Sequence, residues 1–175
     1  MATVRPGVFA KISTDGSNCN IEKVEVKLVD SDIKTKVLEI IKSKKEIIDI
    51  AEADFIVSGG RGVGSKENFE LLRELAKALD GTVAGSRAAV ENGWIDGAYQ
   101  VGQTGKTVRP QIYIACGISG AIQHVAGMQE SDLIIAVNKD DSAPIMKLAD
   151  YAIVGDIAKI VPELTAQVRE IKNAD

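Results

Sequence analysis

From Ile50 onward, short apolar runs alternate with glycine-bearing loops and amphipathic stretches, and that rhythm leaves few folds open. The apolar runs fall at 55–57, 82–84, 112–115, 133–137 and 151–154. Each is short and mostly aliphatic or β-branched, as strands buried on both faces are. Between the first two, Phe69, Leu72, Ala76 and Leu79 recur on one helical stripe, with Glu70, Arg73, Glu74 and Lys77 off it. Ser65 is placed to cap that helix at its start and Gly81 to close it. The pattern predicts further helices over about 87–92, 120–128, 145–149 and 157–172, with Pro162 opening the long last run. Strands alternating with helices are joined by parallel crossovers, which predicts an α/β fold, a doubly wound and mainly parallel sheet of Rossmann-like type.

The first 50 residues read differently. Val24, Val26 and Leu28 alternate with Lys23, Glu25 and Lys27, the pattern of a half-exposed strand, and 4–10 and 37–41 are further strand candidates. The expectation is an added β segment over 1–50 packing on a main domain of 51–175, the whole forming one domain. A length of 175 residues suits that reading. Aromatic residues are only 4% and the net charge is -4, which argues against a nucleic-acid surface. Cys19 and Cys116 are too few for a disulfide scaffold, and Cys116 sits in an apolar run as an inert thiol would. One histidine and two distant cysteines cannot close a zinc site. No run reaches signal-core or membrane-spanning length, so a soluble cytoplasmic protein is the default expectation.

In doubly wound sheets ligands bind outside the carboxyl ends of the strands. Here those ends lead into SGGRGVGS (58–65), GSR (85–87), GISG (117–120), NKDDSAP (138–144) and GD (155–156). The first loop offers backbone N–H groups and the Arg61 countercharge to a phosphate. It departs from the strict dinucleotide fingerprint, since Ser65 stands at the last glycine position, and a tight strand-to-helix turn accounts for it equally well. Ser86 and Arg87 can hold a phosphate or an anionic ring, or serve as a cap and a solvated cation. The richest stretch is 101–124, VGQTGKTVRPQIYIACGISGAIQH, in which two glycine loops flank one apolar run. That layout predicts a buried parallel strand whose two ends hold a charged, ring-containing ligand. Gln103 and Thr104 offer polar groups on one loop. On the other, Ser119 can cap the next helix, and Gln123 and His124 follow in its first turns. VGQTGK lacks the full phosphate-loop pattern, which disfavours a nucleoside triphosphatase. No acid or nucleophile forms a triad with His124, so hydrolase chemistry has little support. Asn138 and Asp156 end the last two strands, where they can meet a ribose or adenine edge or serve as turn and cap residues.

Taken together, ADFIVSGGRGVGSKENF, AGSRAAVENGW, QVGQTGKTVRPQIYIACGISGAIQHVAG, IIAVNKD and ADYAIVGD, with TVRPGVF near the start, make the chain resemble the FAD-binding domain of electron transfer flavoprotein alpha subunits. The resemblance implies FAD held non-covalently, with Thr104 at the flavin N5 position, His124 towards O2 and Arg87 beside the isoalloxazine. It implies Arg61, Ser86 and Ser119 on the ribityl-pyrophosphate side and Asn138 and Asp156 nearer the adenosine. Val101, Gly102, Gln103, Gly120, Ala121, Ile122 and Gln123 fill out the two loops. Arg87, Thr104 and His124 are then the residues that tune the redox potential. The family implies a beta subunit as partner, flavoprotein dehydrogenases such as acyl-CoA dehydrogenases of fatty acid β-oxidation as donors, and a respiratory or quinone-linked acceptor. It implies an electron carrier, not a substrate-converting enzyme. Typical alpha subunits also carry an N-terminal domain ahead of the strand that opens this chain, so an isolated domain or fragment is expected. Two other readings of the fold are a nicotinamide-dependent oxidoreductase and a dinucleotide-binding structural module without flavin. The first predicts an acidic residue at the end of the second strand, where Ser86 and Arg87 stand.

Overall fold

The computed structural model describes residues 22–27, 29, 35–39 and 49–174. Contacts divide the chain into two units, and all the regular structure among the described residues lies in the one that contains 49–174. Its strands are β1 (Phe55–Gly59), β2 (Thr82–Gly85), β3 (Ile112–Cys116), β4 (Leu133–Asn138) and β5 (Tyr151–Val154). Its helices are α1 (Lys66–Ala78), α2 (Arg87–Glu91), α3 (Ile122–Val125), α4 (Pro144–Leu148) and α5 (Ile157–Ala174). The five strands form one sheet in the order β2-β1-β3-β4-β5, parallel throughout. The chain leaves β1 toward one edge and returns to β3 on its other side, so the strand order reverses between β1 and β3. That switch point is where doubly wound sheets open a ligand crevice.

Alternation along the buried strands feeds two cores. Ile56, Tyr113, Ala115, Ile134 and Ala136 face one side with Met128, Ile145 and Met146. Val57, Ile114, Cys116 and Val137 face the other, under α1 and α5. Phe69, Leu72 and Ala76 of the expected stripe are buried on α1 together with Leu75, while Leu79 stands half-buried at its cap, and each large buried side chain there contributes about 1.5–3 kcal/mol. Ser65 caps α1, its Oγ accepting from the Asn68 N–H at 3.2 Å. The helix ends in a Schellman pairing, Gly81 N–H to the Ala76 carbonyl at 2.8 Å and Asp80 N–H to Lys77 at 3.2 Å. The left-handed residue of that motif is Asp80, at φ 54°, and not Gly81.

Three expectations are corrected. Val24 and Val26, expected on a half-exposed strand, form none. They are 76% and 72% exposed, residues 22–27 and 35–39 carry no regular structure, and no strand among the described residues pairs with them. The expected strand at 4–10, and residues 28, 40 and 41 of the other two, lie outside the described residues. Pro162 does not open a helix but lies inside α5, which starts at Ile157. Asp156 provides the start, its Oδ1 accepting from the Ala158 N–H at 3.0 Å. The amide that Pro162 lacks would have bonded only the Ala158 carbonyl. Finally, α3 is one short turn over Ile122–Val125, and Ser119 does not cap it. Ala121 stands at the cap with no side-chain bond, and the Ser119 carbonyl instead accepts from the Ile145 N–H at 3.1 Å.

Candidate functional site: a cleft at the strand switch point

The loops after β1 and β3 close on each other at the switch point. Gly60 N–H bonds the Cys116 carbonyl at 2.8 Å, and Gly62 N–H bonds the Gly117 carbonyl at 2.9 Å. A Cβ on Gly60 would fall 2.3 Å from the Gly117 oxygen, and one on Gly62 would fall 2.8 Å from its Cα. Only glycine permits this backbone-to-backbone approach. Ser65 at the last position of the motif therefore costs nothing, because it caps α1 while the glycines before it make the seam.

The loop at 101–106 reaches the same edge by another route. Gln100 pairs with Gly85 as a parallel extension of β2, and Val101 N–H bonds the Gly85 carbonyl at 2.9 Å. Gln103 N–H then bonds the Gln123 carbonyl at 2.7 Å. Gly102 has φ 140°, and a Cβ there would meet the Gln123 oxygen at 2.9 Å. The expectation that the two loops of 101–124 hold a ligand at opposite ends of one strand is thus corrected. Both stand at the carboxyl edge, and residues 107–111 carry the chain back to the start of β3.

Together these loops bound a cleft of about 700 Å³, within the size range of small-molecule and cofactor sites. Of the residues singled out in the sequence, Arg61, Ser86, Arg87, Val101, Gly102 and Thr104 line it, as do Ser119, Ala121, Gln123, His124 and Asn138. Gln103, Gly120, Ile122 and Asp156 do not. Ile122 is 83% exposed, while Asp156 is occupied as the α5 cap and pairs with Lys139 at 3.1 Å. Its carboxyl is held below the usual range by the Ala158 N–H first and by Lys139 second.

Charge at the rim is mixed. Arg87 is exposed and paired with Glu91 at 2.7 Å, one helical turn on. Arg61 is exposed on the opposite loop. Asp140 lies on the rim too, its carboxyl held low by the Ser142 hydroxyl at 2.6 Å and by the Ser142 N–H. Ser86 Oγ accepts from the Ala89 N–H at 3.4 Å, so Ser86 caps α2. Asn138 bonds the Ile118 carbonyl at 2.9 Å and so ties the β4 loop to the β3 loop.

Two features of the site escape a reading of the motifs alone. Gln100 lines the cleft and donates from Nε2 to Thr104 Oγ1 at 3.0 Å, which leaves the Thr104 O–H free to donate. Its only sequence signal was its place beside VGQTGK. At the floor, His124 is 7% exposed, and its Nε2 lies 3.0 Å from the Tyr113 hydroxyl. Tyr113 belongs to the apolar run of β3 and reads there as core. Burial lowers the His124 pKa to about 4, opposed by the Val101 backbone, although no bond of good geometry reaches Nδ1. The imidazole is therefore neutral at neutral pH, and the fixed positive charge near the cleft belongs to Arg61 and Arg87. Among the described residues no group of His, Cys, Asp and Glu forms a metal site, and no helix is long and apolar enough to cross a membrane.

Comparison with known proteins fits this geometry. Residues 49–129, which carry both glycine loops and His124, match the family described as the electron transfer flavoprotein FAD-binding domain. The chain is 75% identical over 175 residues to the protein FixB of Clostridium saccharobutylicum, covering 100% of this chain and 52% of that one. It is 65% identical over 176 residues to the electron transfer flavoprotein subunit alpha of Clostridium acetobutylicum, covering 99% and 52%. It is 51% identical over 180 residues to the acryloyl-CoA reductase electron transfer subunit beta of Anaerotignum propionicum, covering 99% and 49%. The chain spans about half the length of these curated relatives. The cleft-lining residues from Gly60 to His124 thus fall inside the match to the electron transfer flavoprotein FAD-binding domain, and nearly the whole chain aligns with about half the length of an electron transfer flavoprotein subunit alpha.

Proposed function

We propose that residues 51–175 bind FAD in this cleft and carry electrons between flavoprotein dehydrogenases, acyl-CoA dehydrogenases among them, and a respiratory or quinone-linked acceptor. One observation carries the reading: Arg61, Arg87, Thr104 and His124, from four separate segments of the chain, line a single cleft at the strand switch point. The residues suit the cofactor. The Gly60–Gly62–Gly117 seam locks together the two loops that carry Arg61 and Ser119 at the cleft, and a buried imidazole with one unpartnered nitrogen borders the floor. Bound flavin would supply one- and two-electron redox chemistry, and the chain's part is to hold it and set its energy.

Arg61 would meet the pyrophosphate side with Ser86 and Ser119, while Asn138 and Asp156 would stand toward the adenosine. The Thr104 O–H, oriented by Gln100, would donate to the ring's N5, and His124 would act at O2 as a neutral donor. Arg87 would supply positive charge beside the ring, stabilising its anionic reduced forms. On this reading the chain is an electron carrier and not a substrate-converting enzyme, and no group in the cleft is asked to break a substrate bond. A beta subunit covering the flavin and a cytoplasmic setting complete the proposal.

Adding FAD to the purified chain tests it. The expected result is saturable quenching of flavin fluorescence with retention of the absorption band through gel filtration, and free flavin throughout would refute binding. Arg87→Ala is expected to lower the one-electron potential by about 60 mV for each 1.4 kcal/mol of stabilisation lost. Unchanged potentials would remove Arg87 from that role.

A further inference from the structure

Two groups of the inner sheet are not used by the proposed electron carriage: Tyr113, in the middle of β3, and Ser58, on the neighbouring β1. Tyr113 is fully buried, packed in the core that includes Ile56, Val108 and Met128, and among the described residues its phenol is the only group to which the His124 side chain is bonded at good geometry. Ser58 is also fully buried, and its Oγ has no partner of good geometry, although it stands close enough to oppose the rise that burial imposes on the Tyr113 pKa.

From this geometry we propose that Tyr113 is a positioning residue that fixes the tautomer of His124, donating its O–H to Nε2 so that the proton of the neutral ring stays on Nδ1. The alternative arrangement fails on bookkeeping of donors and acceptors. If Nε2–H donated to the phenol oxygen, the phenol O–H would need an acceptor in the core, and Ser58 Oγ is not placed to accept at good geometry. The Val101 backbone acts on the ring as an acceptor does, and in that arrangement Nδ1 would be bare and Nε2–H committed to the phenol, leaving it no N–H. With the phenol as donor both conflicts vanish: Nε2 accepts, and Nδ1–H is the single donor left over. A phenol is the stronger acid and an imidazole nitrogen the better acceptor, so this is also the stronger bond. The consequence for the cleft is that the ring at its floor is neutral and its orientation is set from inside the sheet, with Nδ1–H enclosed within the protein. The consequence for the cofactor rests on the FAD reading above, whereas the tautomer itself does not.

Because the chain has a single histidine, its imidazole nitrogens can be observed without overlap. Long-range ¹H–¹⁵N correlation spectra of the ¹⁵N-labelled full chain, without flavin, read the tautomer directly. The expected result is a protonated Nδ1 and a bare, hydrogen-bonded Nε2. Tyr113→Phe, which deletes one oxygen, should move the tautomer ratio about fivefold toward Nε2–H, the change expected from losing one neutral hydrogen bond. Ser58→Ala should leave the ratio unchanged. A wild-type ring protonated at Nε2, or a Tyr113→Phe ratio equal to wild type, would overturn the proposal, and the wild-type spectrum decides even if a variant does not fold. FAD titration of the same samples separates the two readings. Failure to bind with the expected tautomer counts against the flavin reading alone.

Discussion

Acid should destabilise this domain through its one histidine. In the unfolded chain His124 takes the ordinary value of 6.5, and in the fold burial lowers it to about 4. Above about pH 6.5 the ring is neutral in both states and contributes no pH dependence. As pH falls below 6.5 the unfolded chain binds a proton that the folded one refuses, so stability drops as pH falls and levels off below the folded pKa. A depression of about 2.5 units at about 1.4 kcal/mol per unit gives a loss of about 3 kcal/mol in full, of which about 2 kcal/mol is gone by about pH 5. Such a loss is a large share of the 5–15 kcal/mol that typically holds a domain together. The assay is urea unfolding of wild type and His124→Gln at matched pH values from about 7 to 4. Carboxylates titrate in both proteins and cancel in the difference, so the wild-type curve should fall toward that of the variant across the window. Parallel curves would refute the argument, because they would mean that the ring accepts a proton in the folded state at no cost.

Three other expectations follow from particular contacts. Gly60→Ala drives a Cβ to within 2.3 Å of the Gly117 oxygen, backbone against backbone, and should cost about 1–3 kcal/mol or more together with FAD binding. An unchanged melting temperature and affinity would contradict the seam. Asp156→Ala removes the α5 cap and should lower stability by about 1 kcal/mol, with the exposed Lys139 pair adding little. Chemical denaturation measures it. Cys116 is fully buried with its thiol pushed up to about 12, so in a Cys19→Ser background an aromatic disulfide reagent should label the native protein only after denaturant is added.

The five strands and five helices were legible because their signals are local: β-branched runs for the buried sheet, a helical stripe on α1, and glycine after nearly every strand. The cleft was legible in outline, since glycine loops must gather at the carboxyl edge of a parallel sheet. What escaped depends on distant pairings. Gln100 joins the site because it pairs with Gly85, and nothing in 95–106 announces that bridge. Tyr113 was hidden because a tyrosine within an apolar run looks like core, and only the packed sheet brings its hydroxyl to His124. Ser119 looked like a cap but gave its carbonyl to α4, and Asp156 caps the helix that Pro162 was expected to open. The alternation of Val24 and Val26 misled because a period of two describes a strand only when another strand accepts it.

The pairing of the first and last helices has a consequence for synthesis. Val57, Phe69 and Leu75 share one core with Ile157 and Val161, and Arg169 and Lys172 of α5 lie against Glu74 and Asp80 at the end of α1. The residues that close the cleft, through Ala143, leave the ribosome well before α5 does. At about 5–20 residues per second, the apolar flank of α1 spends several seconds without its cover. A nascent chain can thus assemble its cleft loops while its opposite face remains a target for chaperones, and any early capture of a ligand there would precede, not follow, completion of the outer layer.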